Sequence, residues 1–83
     1  MGLQGSVAIV TGAGSGFGAG IAMRFAAEGA KVALLDINLQ GAQQVAEAAG
    51  HGAIALKCDV TRADEIVAAV AATRKAFGRL DIV

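Results

Sequence analysis

Residues 6–36 read SVAIVTGAGSGFGAGIAMRFAAEGAKVALLD, and the fold follows from the order of pieces in this stretch. Val7-Ala8-Ile9-Val10 has no polar alternation, the mark of a strand buried on both faces. A glycine turn follows, through Gly12, Gly14, Gly16 and Gly18. The spacing then predicts a helix from Gly16 to about Glu28, with Phe17, Ile21 and Phe25, beside Ala22 and Ala26, as the stripe laid on a sheet. Gly29 is placed to end it. Val32 to Leu35 form a second buried strand that stops at an acid, Asp36. Strand, glycine turn, helix, strand and acid together make a β-α-β unit suited to a nucleotide.

The alternation continues outward from this unit. Asn38 can cap a helix over Leu39 to Ala49, whose apolar side is Leu39, Ala42, Val45, Ala46 and Ala49. Gly50-His51-Gly52 breaks it, and Ala53 to Lys57 reads as a third strand with Cys58-Asp59-Val60 at its carboxyl end. Thr61-Arg62-Ala63-Asp64 predicts a capping box. The helix it opens runs to about Phe77, with Ile66, Val70 and Phe77 inward, and Gly78 ends it. Leu80 to Val83 begins a fourth strand. Right-handed crossovers make the strands parallel in the order 3-2-1-4, a three-layer αβα sheet truncated in its fourth strand. Ligands of such sheets bind at the carboxyl ends of the strands near the switch point, and the glycine turn, Asp36 and Asp59-Val60 all fall on that rim.

Composition narrows the partners. Seven basic and seven acidic residues give zero formal charge without a block of one sign, which argues against nucleic acid and an anionic membrane. No apolar run approaches the roughly 18 residues of a membrane span. The stretch MGLQGSVAIVTG has no basic segment ahead of its apolar run, so it does not read as a signal peptide. One cysteine permits no internal disulfide and fits a cytoplasmic location. No His, Cys, Asp and Glu grouping has metal-site spacing. His51 is expected opposite the binding rim, and Cys58 is expected as a buried apolar residue.

Each rim residue has a physical role to fill. Backbone amides and close approach are what a pyrophosphate needs, and Gly12 and Gly16 supply both. The helix amino end favours negative charge, and the Ser15 hydroxyl can add a bond to a phosphate. Phe17 is too large for the cradle and is expected over the cofactor or in the core. Gly18 lets the helix lie close to the first strand. Asp36, twenty residues beyond Gly16, can accept both ribose hydroxyls of an adenosine. It would repel a 2′-phosphate, and Ile37 offers no cation to offset this, so NAD is expected over NADP. Asp59 and Val60 can meet an adenine; equally, Asp59 can serve only a turn or cap before the third helix. A kinase-type phosphate loop is poorly supported, because no lysine follows the turn. An S-adenosylmethionine-binding methyltransferase domain is the closer rival, since Gly12, Gly14 and Gly16 also give G-x-G-x-G, although Val10 and Thr11 stand where an acid is usual in that class. A non-catalytic domain of the same fold is the third reading.

Thr11, Gly12, Gly16 and Gly18 complete T-G-x-x-x-G-x-G, and on this motif the chain resembles the amino-terminal part of a classical short-chain dehydrogenase/reductase. The resemblance covers essentially the whole sequence. It implies a partial Rossmann-type NAD-binding domain over residues 1–83. It implies NAD at Asp36, adenine at Asp59-Val60, and Leu80-Asp81-Ile82-Val83 leading toward an Asn-Asn-Ala-Gly segment. Phe17 replaces the usual isoleucine or leucine. The implied activity is an oxidoreductase interconverting a small-molecule alcohol and a carbonyl, in a parent protein that forms a homo-oligomer, commonly a tetramer. The serine, tyrosine and lysine of that family's catalysis have no counterparts here, and the sequence contains no tyrosine. The expected share of this chain is therefore the adenosine and pyrophosphate part of the site, with no catalytic residue.

Overall fold

The computed structural model describes residues 4–81. The elements alternate as β1 (Val7–Thr11), α1 (Gly16–Ala27), β2 (Lys31–Asp36), α2 (Leu39–Ala49), β3 (Ile54–Lys57) and α3 (Ala63–Phe77). The sheet is parallel in the order β1-β2-β3, with Val7 opposite Lys31, Thr11 opposite Leu35 and Asp36 opposite Lys57. This is the three-layer Rossmann-type arrangement. Successive strand residues point to opposite faces. Val10, Val32 and Leu34 therefore meet α1 and α2, through Ala22, Ala26, Ala42 and Ala46. Ile9, Ala33 and Leu35 meet α3 through Ala69, with Val70 and Phe77 alongside. Leu34 and Leu35 are almost wholly buried, each worth about 2 kcal/mol in transfer terms.

The carboxyl end of α1 and the amino end of α2 follow their chemistry. Gly29 takes φ 97°, and its amide and that of Ala30 bond the carbonyls of Ala26 and Phe25, the paired bonds of a Schellman ending. Arg24 and Glu28 form an ion pair at 3.0 Å on the solvent side of α1. The Asn38 side chain accepts the Gly41 amide at 3.2 Å and caps α2.

Three expectations are corrected. First, Phe17 and Ile21 do not lie on the sheet; they are 94% and 46% exposed, while Ala22 and Ala26 are buried and Phe25 is half-buried. The helix is seated by small residues, because at Gly18 its backbone runs against the Gly12 carbonyl, and that close approach turns the residues one position earlier sideways. Second, the capping box at Thr61 does not form. Arg62 is the N-cap and makes no side-chain cap bond, and the Thr61 hydroxyl instead donates to Asp59 Oδ1 at 2.6 Å. Third, Ile66 is exposed; Ala69 and Thr73 are the buried residues of α3.

Beyond α3 the chain returns to the free side of β1. The Asp81 amide donates to the Val7 carbonyl at 2.9 Å, and the Val7 amide donates to Asp81 Oδ2 at 2.8 Å. This is the side on which the order 3-2-1-4 puts the expected fourth strand. Leu80 and Asp81 are not themselves in a strand, and Ile82 and Val83 lie outside the described residues. Among the described residues no buried side-chain nitrogen or oxygen lacks a partner. Thr73, the buried polar side chain, donates to the Ala69 carbonyl at 2.8 Å.

Candidate functional site

The carboxyl ends of the strands carry the polar chemistry. β1 runs out at Thr11 into Gly12, whose φ of 62° is the left-handed conformation that glycine adopts without a Cβ penalty. Ala13 is buried, and its amide donates to the Leu35 carbonyl at 3.1 Å, so the turn folds over the end of β2. Gly16, at φ 60°, opens α1. A Cβ on either Gly12 or Gly16 would meet nothing within 4 Å, so the turn faces open space.

The amino end of α1 is left uncompensated. Ser15 is extended there and makes no side-chain cap bond, and the first turn contains no acid. The first turn of α3, by contrast, holds Asp64 and Glu65. The earliest α-type bond of α1 runs from the Ala19 amide to the Ser15 carbonyl. The amides of Gly16, Phe17 and Gly18 therefore have no helical acceptor and sum with the helix dipole to attract an anion.

Asp36 faces the same turn. Its Oδ2 accepts the Gly14 amide at 2.8 Å and its Oδ1 accepts the Asn38 amide at 2.9 Å. The Asn38 amide, and after it the Gly14 amide, hold the carboxyl below its ordinary value of 3.8, so Asp36 is an anion at neutral pH. Gly12, Asp36, Ile37, Cys58, Asp59 and Val60 line one hollow of about 180 Å³. Ile37 and Val60 present exposed apolar surface there.

Asp59 does two things. It lines the hollow, and its Oδ1 accepts both the amide and the hydroxyl of Thr61. Those bonds, the hydroxyl first, lower its pKa. Its own amide donates to Glu65 Oε1 at 2.9 Å. The turn role foreseen for Asp59 is thus present alongside its place on the rim. Cys58 is buried as expected, and desolvation foremost pushes its thiol pKa up, with Glu65 and Asp59 adding to this. His51 sits at the opposite end of the sheet, where its carbonyl accepts Lys31 Nζ. Among the described residues no group of three or more His, Cys, Asp or Glu could hold a metal, and no helix is long and apolar enough to cross a membrane.

The structure thus brings Gly12, Asp36, Ile37, Asp59 and Val60 together and leaves Ser15, Gly16 and Gly18 at the adjoining helix end. Phe17 departs from its expected place: its ring stands outside both core and hollow. It borders a larger apolar hollow of about 620 Å³ on the flank of α1, with Gly16, Gly20, Ile21, Arg24 and Phe25. Size does not decide between the hollows, since the acids Asp36 and Asp59 belong to the smaller. Two further glycines are tightly packed: Gly14, which the sequence placed in the turn without a role of its own, and Gly41, which it did not single out. A Cβ on Gly14 would lie 2.7 Å from Asp36 Oδ2, and one on Gly41 would lie 2.8 Å from Asn38 Nδ2 and 3.0 Å from the Gly14 carbonyl. The signal for Gly41 was a glycine in the first turn of a helix, where it costs stability unless packing demands it.

A family model described as short chain dehydrogenase matches residues 6–83. Galactitol 2-dehydrogenase of Agrobacterium fabrum is 48% identical over 82 residues, which cover 99% of this chain and 32% of that protein. D-threitol dehydrogenase of Mycolicibacterium smegmatis is 45% identical over 85 residues, covering 96% of this chain and 32% of its own length. The chain thus spans about a third of the length of these relatives. Among solved structures, the 3-ketoacyl-(acyl-carrier-protein) reductase from Brucella melitensis complexed with NADH superposes with a TM-score of 0.92 at 46% identity, covering 96% of this chain and 34% of that one. A short chain dehydrogenase/reductase from Burkholderia phymatum in complex with NAD gives 0.91 at 32% identity, covering 99% of this chain and 31% of the other.

Proposed function

The chain belongs to the short-chain dehydrogenase family, and from that premise we propose that it supplies the adenosine- and pyrophosphate-binding part of an NAD(H)-dependent oxidoreductase that interconverts an alcohol and a carbonyl. The observation that carries this reading is the convergence of Gly12, Asp36, Ile37, Asp59 and Val60 on one small hollow beside the free amides of α1. The residues fit the cofactor. The open faces of Gly12 and Gly16 leave room for a diphosphate, and the amides of Gly16, Phe17 and Gly18 donate to it. Ser15 Oγ adds a donor. Gly18 keeps the helix end close enough to serve. Asp36, ionised, accepts the ribose hydroxyls through the lone pairs that Gly14 and Asn38 leave free. Ile37 and Val60 flank the base, and Asp59 faces its amino group.

When bound, the nicotinamide ring of such a cofactor exchanges a hydride with the substrate carbon. The contribution of this chain is to bind and orient the other end. Asp36 disfavours a 2′-phosphate by charge, and the exposed Ile37 brings no cation to it, which supports NAD over NADP. The absence of tyrosine supports binding without turnover by these 83 residues alone. Small-molecule substrates and assembly of the parent protein into a homo-oligomer, commonly a tetramer, belong to the same reading.

The test is a titration of the labelled chain with NADH, NADPH and S-adenosylmethionine, following backbone amide signals. NADH is expected to shift residues 12–18, Asp36 and Asp59, with NADPH weaker and S-adenosylmethionine inert. Tighter binding of S-adenosylmethionine, or NADH shifts confined to other residues, would replace the dehydrogenase reading with the methyltransferase one or leave a non-catalytic domain.

A further inference from the structure

Resting on the cofactor reading above, we propose that Asp36 is also the positioning residue of the phosphate-binding turn, so that the ribose and pyrophosphate halves of the site are mechanically coupled through one carboxylate. Gly14 lies between Gly12 and the helix end, and its amide is held by Asp36 Oδ2 at 2.8 Å across 22 residues of chain. There is no slack in this contact: a Cβ on Gly14 would stand 2.7 Å from that oxygen and 3.3 Å from the Ala42 amide nitrogen. On its other side the Gly14 carbonyl borders Gly41, whose helix is capped by Asn38. Asn38 in turn gives its amide to the second oxygen of Asp36. The turn, the end of β2 and the start of α2 therefore close on a single side chain. Each carboxylate oxygen accepts one amide and keeps capacity for one more donor. A ribose can thus be gripped without releasing the turn.

Charge and clamp make opposite predictions for a ligand that has phosphates and no ribose. Removing an anion near the turn strengthens the attraction for inorganic pyrophosphate by Coulomb's law. Removing the clamp lets the Gly14 segment drift and weakens the aim of the amides that follow it. The probes are inorganic pyrophosphate and NADH, titrated into the wild-type chain, Asp36→Ala and Asp36→Asn. The readout is the shift of the amides of Gly16, Phe17 and Gly18, with folding checked by circular dichroism.

Asp36→Ala is expected to bind pyrophosphate about five- to tenfold more weakly, the consequence of one lost charge-assisted hydrogen bond. Asp36→Asn keeps an oxygen for the Gly14 amide and loses the charge together with the acceptor of the Asn38 amide; it is expected to bind pyrophosphate at least as tightly as wild type, with Gly14 still protected from hydrogen exchange. Unchanged or tighter pyrophosphate binding by Asp36→Ala overturns the coupling. So does loss of pyrophosphate binding in a folded Asp36→Asn, which keeps the proposal testable if the alanine variant unfolds. Failure of NADH to shift the turn in the wild-type chain sinks the cofactor reading itself. NADH binding that weakens in Asp36→Ala while pyrophosphate binding holds sinks only the coupling.

Discussion

Gly18→Ala and Gly20→Ala are the same substitution in the same helix, two positions apart, and the structure gives them opposite signs. In an exposed helix interior the change from glycine to alanine returns about 1 kcal/mol. Gly20 meets that condition, since a Cβ there finds nothing within 4 Å. A Cβ on Gly18 runs into the Gly12 carbonyl carbon and oxygen and comes within 3.0 Å of the Thr11 carbonyl oxygen. The obstacle is main chain, which cannot rotate aside, so α1 must retreat from β1. Overpacking of this kind costs about 1–3 kcal/mol. We take the upper end, because Ala22 and Ala26 below are fully buried and move with the helix. After the propensity gain the net loss is about 2 kcal/mol. At about 4–8 °C per kcal/mol for a chain of this size, Gly18→Ala lowers the Tm by about 8–16 °C and Gly20→Ala raises it by about 4–8 °C. Thermal and urea unfolding followed by circular dichroism read both. NADH affinity should fall in Gly18→Ala, because the retreat displaces the amides of the first turn, and should hold in Gly20→Ala. A Gly18→Ala chain as stable as wild type would refute the claim that helix and strand touch there.

Other consequences are simpler. Phe17→Ala should change stability by no more than about 0.5 kcal/mol, since the ring is 94% exposed; a large loss in the same melts would return Phe17 to the core. Asp36, Asp59 and Asp81 all titrate below the ordinary 3.8, held down chiefly by the Asn38 amide, the Thr61 hydroxyl and Arg79 in turn. The stability they add is complete above the unfolded carboxylate value and is lost as pH falls through their lowered folded values. Melts should therefore be flat from neutral pH to about 5 and decline below about 4, with the decline shallower in Asp36→Asn; a decline beginning near neutral pH would contradict this. Cys58 should react with a disulfide reagent at least about a hundredfold more slowly in the native chain than in denaturant, since the thiol is buried and its pKa raised. Native reactivity matching the denatured rate would show that the floor of the rim hollow is open.

Much of this was legible in the sequence because its signals are local. Uninterrupted apolar runs gave β1, β2 and β3 to within a residue or so, and Asn38 and Gly29 acted as the cap and terminator their types suggest. Thr61 misled because Asp59 takes both of its donors: the amide that a capping box would give to Asp64 and the hydroxyl that would accept the Asp64 amide are both bonded to Asp59 Oδ1. The aromatic stripe of α1 misled because periodicity states which residues share a face and not which face turns inward. A small-residue face at Gly18, Ala22 and Ala26 outweighed the larger hydrophobics through closeness of approach.

The order of strand, glycine turn, helix and acid fixed, without coordinates, a parallel αβα unit and a rim able to take a dinucleotide. Chain order carries that information because βαβ crossovers have one hand and glycine adopts the left-handed positions of the turn without a Cβ penalty. Only the tertiary structure decided that Asp36 grips Gly14 and that Phe17 faces away from the hollow. Those outcomes depend on distances of a few tenths of an ångström between segments remote in sequence, and no local propensity encodes them.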